Sequence, residues 1–248
     1  GLLIDSILPD GLTDVFSGKH MGLTVEALAE QYGIDRVAQD TFALRSQQKY
    51  ATALARGTFK DEIVPVGKLT QDEHPRPDVT LEKLATMKPA FKPDGTITPA
   101  NASGINDGAA MLVVCSEALM RRNSWTPLAR IAGWCNIGCA PAQMGLGPVY
   151  ATAKLCRNLG MNIDAFDAIE LNEAFAAQAL ACIKEMKADG NRVNPNGGAI
   201  ALGHPIGASG ARLLVHLAHR IARKEIKKGL ATLCVGGGMG SAVALEAV

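Results

Sequence analysis

The sequence predicts an α/β protein in which helices are layered on a mixed sheet. Three observations carry this. From Ala100 onward, short apolar runs alternate with stretches of helical periodicity, so strand and helix come in turn. Of 248 residues, 48% are apolar and 20% charged, which is too little charge for a solvated coil and enough chain to bury a substantial core. The 26 glycines and the Ala-rich stretches point to closely packed backbone rather than disorder.

In chain order, Thr24 or a neighbour caps a helix through Val25-Glu26-Ala27-Leu28-Ala29. A second helix starts at about Asp35, carries Val37, Phe42, Leu44 and Ala51 among Gln, Arg and Lys, and stops near Gly57. Residues 61–99 differ: prolines at 65, 75, 77, 89, 93 and 99 predict loops and short elements, as a surface excursion or a linker. Met111-Leu112-Val113-Val114-Cys115 reads as a buried strand and residues 116–123 as a helix. Further strands are predicted over 128–134, 168–171, 231–235 and 242–246, with helices over 149–160, 174–187 and 207–223. No repeat is visible at solenoid periods.

Composition removes several classes of function. A net charge of +1 gives no field to draw in a polyanion, which argues against extended nucleic-acid binding. No apolar run approaches the roughly 18 residues of a membrane span. Six cysteines without a C-x-x-C pair, in a chain too large to need disulfide staples, predict free thiols in a cytosol-like, cytoplasmic setting. His216 and His219 lie three apart on a helix without a Cys or carboxylate in register, so a solvated face is expected and no metal site. Gly1 is not a Met, and residues 1–5 lack the basic region of a signal peptide, so the expectation is a start inside a longer natural protein.

Three segments place a reactive side chain where regular structure meets a glycine-rich turn. His204 lies between Gly203 and Pro205, ahead of a helix beginning near Gly207, with small residues leaving room for a ligand beside the imidazole. A histidine so placed suits acid–base work, its ordinary pKa being close to neutrality; a structural histidine in a tight turn fits the same segment. Cys234 ends an apolar strand and is followed by Gly236-Gly237-Gly238, whose backbone N–H groups are free to face an oxyanion. A thiol beside a histidine is a proton-transfer or nucleophile pair, although a free Cys is also a common small core residue. In Glu170-Leu171-Asn172-Glu173-Ala174-Phe175, Asn172 suits holding a water or polarising a carbonyl, or it is a plain helix cap. The phosphate-binding loop, the dinucleotide fingerprint and the G-x-S-x-G elbow are all absent, which removes kinase, dehydrogenase and serine hydrolase readings.

Taken together, Asn172-Glu173-Ala174-Phe175, the block Gly203-His204-Pro205-Ile206-Gly207-Ala208-Ser209-Gly210 and Cys234-Val235-Gly236-Gly237-Gly238-Met239-Gly240 resemble, in order, the signature blocks of the thiolases. The likeness is nearest to the acetyl-CoA acetyltransferases. Gly11-Leu12-Thr13-Asp14, His20-Met21-Gly22, Phe59 to Pro65 and Asn101 to Gly108 also fit, so the resemblance runs along essentially the whole chain. It implies a thiolase-like αβαβα core of mixed five-stranded sheets with one half truncated, plus a loop domain. In these terms residues 1–102 form the loop domain that covers coenzyme A, 103–126 a remnant of the N-terminal core half, and 127–248 the C-terminal half.

The resemblance also implies an activity: two acetyl-CoA condense to acetoacetyl-CoA and CoA, or the reverse thiolysis occurs. His204 would deprotonate the nucleophilic cysteine and, with a water held by Asn172, form one oxyanion hole. Cys234 would be the acid/base at the α-carbon or at the thiol of CoA, and the Gly236 N–H would serve the other oxyanion hole. Coenzyme A contacts carry over onto Leu12, His20, Met21, Phe91, Ser103, Ala174 and Phe175, and onto Arg76 near the nucleotide, while Lys83 replaces a Ser often seen there. CoA thioesters are substrates, so neither cofactor nor metal is expected, and homo-oligomers are. His20-Met21-Gly22 and the triple glycine favour short-chain over longer 3-ketoacyl-CoA substrates. One departure stands out: the family's acyl-accepting cysteine lies in a block upstream of everything here, and none of Cys115, Cys135, Cys139, Cys156 or Cys182 has its context. The chain alone is therefore expected not to turn over. A longer-chain 3-ketoacyl-CoA thiolase and a non-catalytic CoA-binding relative are the competing readings.

Overall fold

The computed structural model describes residues 3–248. Helix α1 (Met21–Tyr32) is opened by His20 rather than by Thr24: the imidazole Nδ1 accepts from Gly22 N at 3.0 Å, satisfying a donor of the first turn. Gly33, in the left-handed region, closes it. Asp35 caps α2 (Arg36–Ala55) as expected, its carboxylate accepting from Ala38 N. The proline-rich tract that follows is loop, interrupted by the five-residue α3 (Leu81–Ala85).

Beyond α4 (Glu117–Arg122), four strands form one mixed sheet: β1 (Arg130–Gly138), β2 (Ala168–Leu171), β3 (Lys228–Val235) and β4 (Met239–Glu246). Their order is β1-β4-β3-β2, with β2 parallel to β3 and the other pairs antiparallel. The expected fifth strand is reduced to a single parallel bridge, Ile169 to Val193, closed by bonds from Ile169 N to Arg192 O and from Asn194 N to Ile169 O. Asn194 then turns left-handed (φ 44°), which carries the chain off the sheet edge before a strand can grow.

Both faces of the sheet are covered. Ile169, Leu171, Leu230, Ala242 and Ala244 pack towards α5 (Gly147–Leu159) and α6 (Ala176–Met186). Their sequence neighbours Ala168, Ala231, Val243 and Leu245 meet Leu213, Leu217 and Ile221 of α8 (Ser209–Ala222) on the other face. Double-sided burial is why these strands read as continuous apolar runs rather than alternating ones. Helix α6 begins at Ala176, two residues later than the sequence suggested. A four-residue helix, α7 (Ala199–Leu202), sits inside the glycine-rich stretch before His204.

Two further expectations fail. Met111–Cys115 is not a strand: it is extended but unpaired, with Met111 87% and Val113 83% exposed. β-Propensity measures packing against neighbouring strands, and among the described residues none pairs with this run. His216 is not on a solvated face either. It is buried, its Nδ1 2.8 Å from the Glu62 carboxylate and its Nε2 3.0 Å from Asn196 Nδ2, because the Phe59–Glu62 segment folds over that side of α8. Among the described residues no group of His, Cys, Asp and Glu could hold a metal, and no helix is long and apolar enough to cross a membrane.

Candidate functional site

The parallel pair β2–β3 builds the site, since parallel strands deliver their C-terminal ends to the same edge of a sheet. Leu171 is in register with Thr232, and Asn172 N bonds to Thr232 O at 3.0 Å. The chain therefore leaves β2 at Asn172 beside the end of β3, where Cys234 and Gly236 emerge.

His204 comes to the same place from the turn between α7 and α8. Its backbone N–H is fixed by Gly104 O at 3.1 Å, and Nε2 lies 3.3 Å from Asn172 Nδ2. Its Nδ1 lies 2.6 Å from Ser209 Oγ, and that hydroxyl donates to Pro205 O at 3.0 Å. With its hydrogen committed to a carbonyl, the Ser209 hydroxyl is an acceptor, so the imidazole proton sits on Nδ1 and the Nε2 lone pair accepts from Asn172 Nδ2. Burial, with Arg212 adding repulsion, pulls the His204 pKa down to about 4. The ring is neutral at pH 7, and its basic nitrogen points at Asn172.

Asn172 is buried, and with Nδ2 directed at His204 its Oδ1 has no partner among the described residues. Next to it Glu173 is buried too, its carboxylate accepting from Ser46 Oγ (2.7 Å), Asn194 Nδ2 (2.8 Å) and Ile200 N (3.2 Å). This web ties the β2 exit to α2 and α7 and so fixes Asn172 from behind. Cys234 is a free thiol whose pKa burial pushes up to about 11, with nearby Cys139 acting in the same direction.

An apolar wall stands against the thiol. Met21, Phe91, Phe175 and Cys234 pack together on Val25, Ala29, Ile97, Ala102, Met144 and Ala177. His20 stacks on Phe91 with centroids 4.7 Å apart, and Phe91 meets Phe175 edge-on at 6.0 Å. Ser103 N and Oγ both donate to Ala174 O, at 3.0 and 3.1 Å, which joins these two residues in one rim. A Cβ on Gly236 would lie 2.0 Å from Met21 Cε, so a side chain there would displace the end of Met21. Gly237 and Gly238 follow with φ of 79° and 87°, turning the chain sharply back into β4.

The remaining candidates lie further out. Leu12 ends a turn of π-helix, Ile7–Leu12, tied to the site through the bridge from Thr13 to His20. Arg76 is exposed, and its guanidinium is folded onto the carbonyls of Glu73, His74 and Pro75. Lys83 likewise bonds to its own loop at Asp78 O. The structure thus gathers His204, Asn172, Cys234, Gly236, His20, Met21, Phe91, Phe175, Ala174 and Ser103, while the side chains of Arg76 and Lys83 bond locally.

Two family models account for nearly all of the chain: the thiolase N-terminal domain matches residues 2–118 and the thiolase C-terminal domain residues 125–247. The chain belongs to the thiolase family. It is 51% identical to an acetyl-CoA acetyltransferase of Pseudomonas aeruginosa and 50% identical to a probable acetyl-CoA acetyltransferase of Escherichia coli, in each case over 98% of this chain and 64% of the relative. It therefore spans just under two thirds of the length of these thiolases. Among solved structures, the Bacillus anthracis acetyl-CoA acetyltransferase superposes with a TM-score of 0.96 at 45% identity, covering 100% of this chain and 65% of the other. Human mitochondrial 3-ketoacyl-CoA thiolase in complex with CoA gives 0.96 at 42% identity, with 98% and 62% covered.

Sequence reasoning about this thiolase missed the residues that hold the reactive ones. Ser209 was visible only as one small residue among Gly207-Ala208-Ser209-Gly210; its spacing of five from His204, at the first position of α8, is the signal that marks it. Ser46 and Asn194 carry no local signal, because they meet Glu173 from positions 127 residues before and 21 after it.

Proposed function

We propose that this chain carries the acid–base half and the coenzyme A cradle of an acyltransferase that condenses two acetyl-CoA to acetoacetyl-CoA and CoA, or runs the reverse thiolysis. The nucleophilic cysteine belongs to a part of the protein outside this chain. The observation behind the reading is the neutral His204, with its Nε2 lone pair against Asn172, at the strand edge where the half-buried thiol of Cys234 emerges.

In this mechanism His204 Nε2 takes the proton of the incoming nucleophilic thiol, which a base of low pKa held at short range does only as the sulfur attacks the thioester. The tetrahedral oxyanion is met by His204 and by a water on Asn172, whose unpaired Oδ1 can hold it. Cys234 starts as a thiol, consistent with its raised pKa. It gives its proton to the departing group: the sulfur of CoA in condensation, the α-carbon of the acetyl-CoA enolate in thiolysis. The thiolate left behind then removes a proton from the next reactant, either the α-carbon of the second acetyl-CoA or the thiol of CoA. The protons balance over the two half-reactions. The Gly236 N–H faces the thioester oxygen of the enolate.

Leu12, His20, Met21, Phe91, Ser103, Ala174 and Phe175 cradle the pantetheine arm, and Arg76 would leave the carbonyls of its own loop to meet the nucleotide. The close fit of Met21 over Gly236 narrows the space by the thiol and favours short acyl chains. The likeness to a 3-ketoacyl-CoA thiolase motivates the longer-chain alternative. Free thiols support a reducing, cytoplasmic setting, and homo-oligomers are part of the same reading.

The test joins this chain behind the N-terminal third of the Pseudomonas aeruginosa relative and measures thiolysis of 3-ketoacyl-CoAs of increasing length. Acetoacetyl-CoA is expected to be cleaved fastest, with Cys234→Ser and His204→Asn each losing about 10²-fold or more in kcat. A preference for long chains selects the alternative. CoA binding without any turnover selects a non-catalytic relative.

A further inference from the structure

The wall residue Phe91 sits on a loop with little regular structure, yet it is held between His20 and Phe175. What fixes the loop is a carboxylate. Glu26, on the inner face of α1, is 2% exposed and accepts only from the far arm of this loop. Its Oε1 takes Ile97 N at 2.9 Å and Thr96 N at 3.0 Å, and its Oε2 takes Thr96 Oγ at 3.0 Å. The Thr96 hydroxyl, spent as a donor, accepts in turn from Gln39 Nε2 at 2.8 Å, which reaches the loop from α2. Ala90 N then bonds to Ile97 O at 2.8 Å, so the residue before Phe91 is tied to the residue that Glu26 holds.

Among the described residues no salt bridge reaches this carboxylate: the nearby Lys92 pairs with Glu30 instead. A buried charge whose hydrogen bonds all run to one loop is a strong clamp on that loop, because releasing the loop strands the charge. The loop is shaped to admit it. A Cβ on Gly95 would stand 2.4 Å from Glu26 Oε1, so the carboxylate reaches the Thr96 and Ile97 amides through the gap that glycine leaves.

We propose that Glu26 is a positioning residue for coenzyme A: by clamping Thr96 and Ile97 it holds Phe91 in the pantetheine wall. It touches no reacting atom, so it governs affinity for CoA and leaves the chemical step alone. The proposal rests on the coenzyme A reading of the site.

The experiment titrates CoA calorimetrically into the chain itself, as wild type, Glu26→Gln and Gly95→Ala, and follows amide exchange over residues 90–98. Gln keeps the shape but substitutes an NH2 for one accepting oxygen, facing N–H donors; Ala leaves Glu26 intact and displaces it. Both variants are expected to weaken CoA binding about tenfold and to speed exchange at Thr96 and Ile97. In the length-restored protein the KM for CoA should rise by the same factor, with kcat within about twofold. A wild type that fails to bind CoA overturns the coenzyme A reading. A wild type that binds, with both variants binding equally well, overturns the role of Glu26 while leaving that reading in place. Faster exchange without loss of affinity, or a fall in kcat equal to the rise in KM, also overturns it.

Discussion

At the scale of single residues, the reactivity of His204 is decided by its neighbours rather than by the imidazole itself. Ser209 fixes which nitrogen is basic, and burial fixes its charge. Replacing Ser209 with Ala removes the acceptor for Nδ1–H, so the ring is free to turn and to place its proton on Nε2, where it cannot act as a base. In the length-restored protein Ser209→Ala is expected to lower kcat by about 10–100-fold with little change in KM, since misplacing a catalytic group by about 1 Å has effects of that size. An unchanged kcat would show that packing alone sets the ring. His204, Asn172 and Cys234 were legible in the sequence because each combines a reactive type with a turn of small residues. Ser209 and the Glu173 partners were not, because a supporting hydrogen bond leaves no mark on composition. His216 shows the converse: read in isolation it belonged to solvent, and only the distant Glu62 gives it a buried hydrogen-bond partner.

At the scale of elements, strand β3, strand β4 and helix α5 converge where the glycine turn begins. A Cβ on Gly240 would lie 2.0 Å from Gly147 O, and one on Gly147 would lie 2.2 Å from Met239 O, so helix start and strand start touch backbone to backbone. This contact sets the height of the turn that carries Gly236. Gly240→Ala must push α5 off the sheet, and overpacking of this kind is expected to lower stability by about 1–3 kcal/mol. Urea unfolding should show a lower midpoint with an unchanged m-value, and a midpoint equal to wild type would mean that the two elements separate freely. Strands buried on both faces were legible as apolar runs, and β2 was placed residue for residue. The same logic misread Met111–Cys115, since an apolar run states what a strand needs and not whether a partner is there. The single bridge at Val193 could not be foreseen, because the left-handed Asn194 that ends it is a tertiary outcome.

At the scale of the molecule, the chain folds its site from loops and strands far apart in sequence while leaving a segment without cover. Met111, Val113 and Val114 are exposed in one extended run with no charge and no proline, and Leu3, Ile4, Val15 and Phe16 are exposed as well. An unpaired extended run of this composition presents a row of free N–H and C=O groups beside apolar side chains, which favours pairing with another extended chain. The chain taken alone is therefore expected to self-associate at roughly micromolar to millimolar concentrations, with sedimentation coefficients rising with concentration. Val113→Lys together with Val114→Glu puts charge on both sides of the run and is expected to return the chain towards monomer. CoA affinity should not change in this variant, since no hydrogen bond of the site involves residues 111–115. Association that survives the two substitutions would place the contact elsewhere, and association abolished together with CoA binding would mean that the run supports the site. Retained affinity in a monomeric variant would instead show that the His204 edge and its cover loop are complete within one copy of the chain.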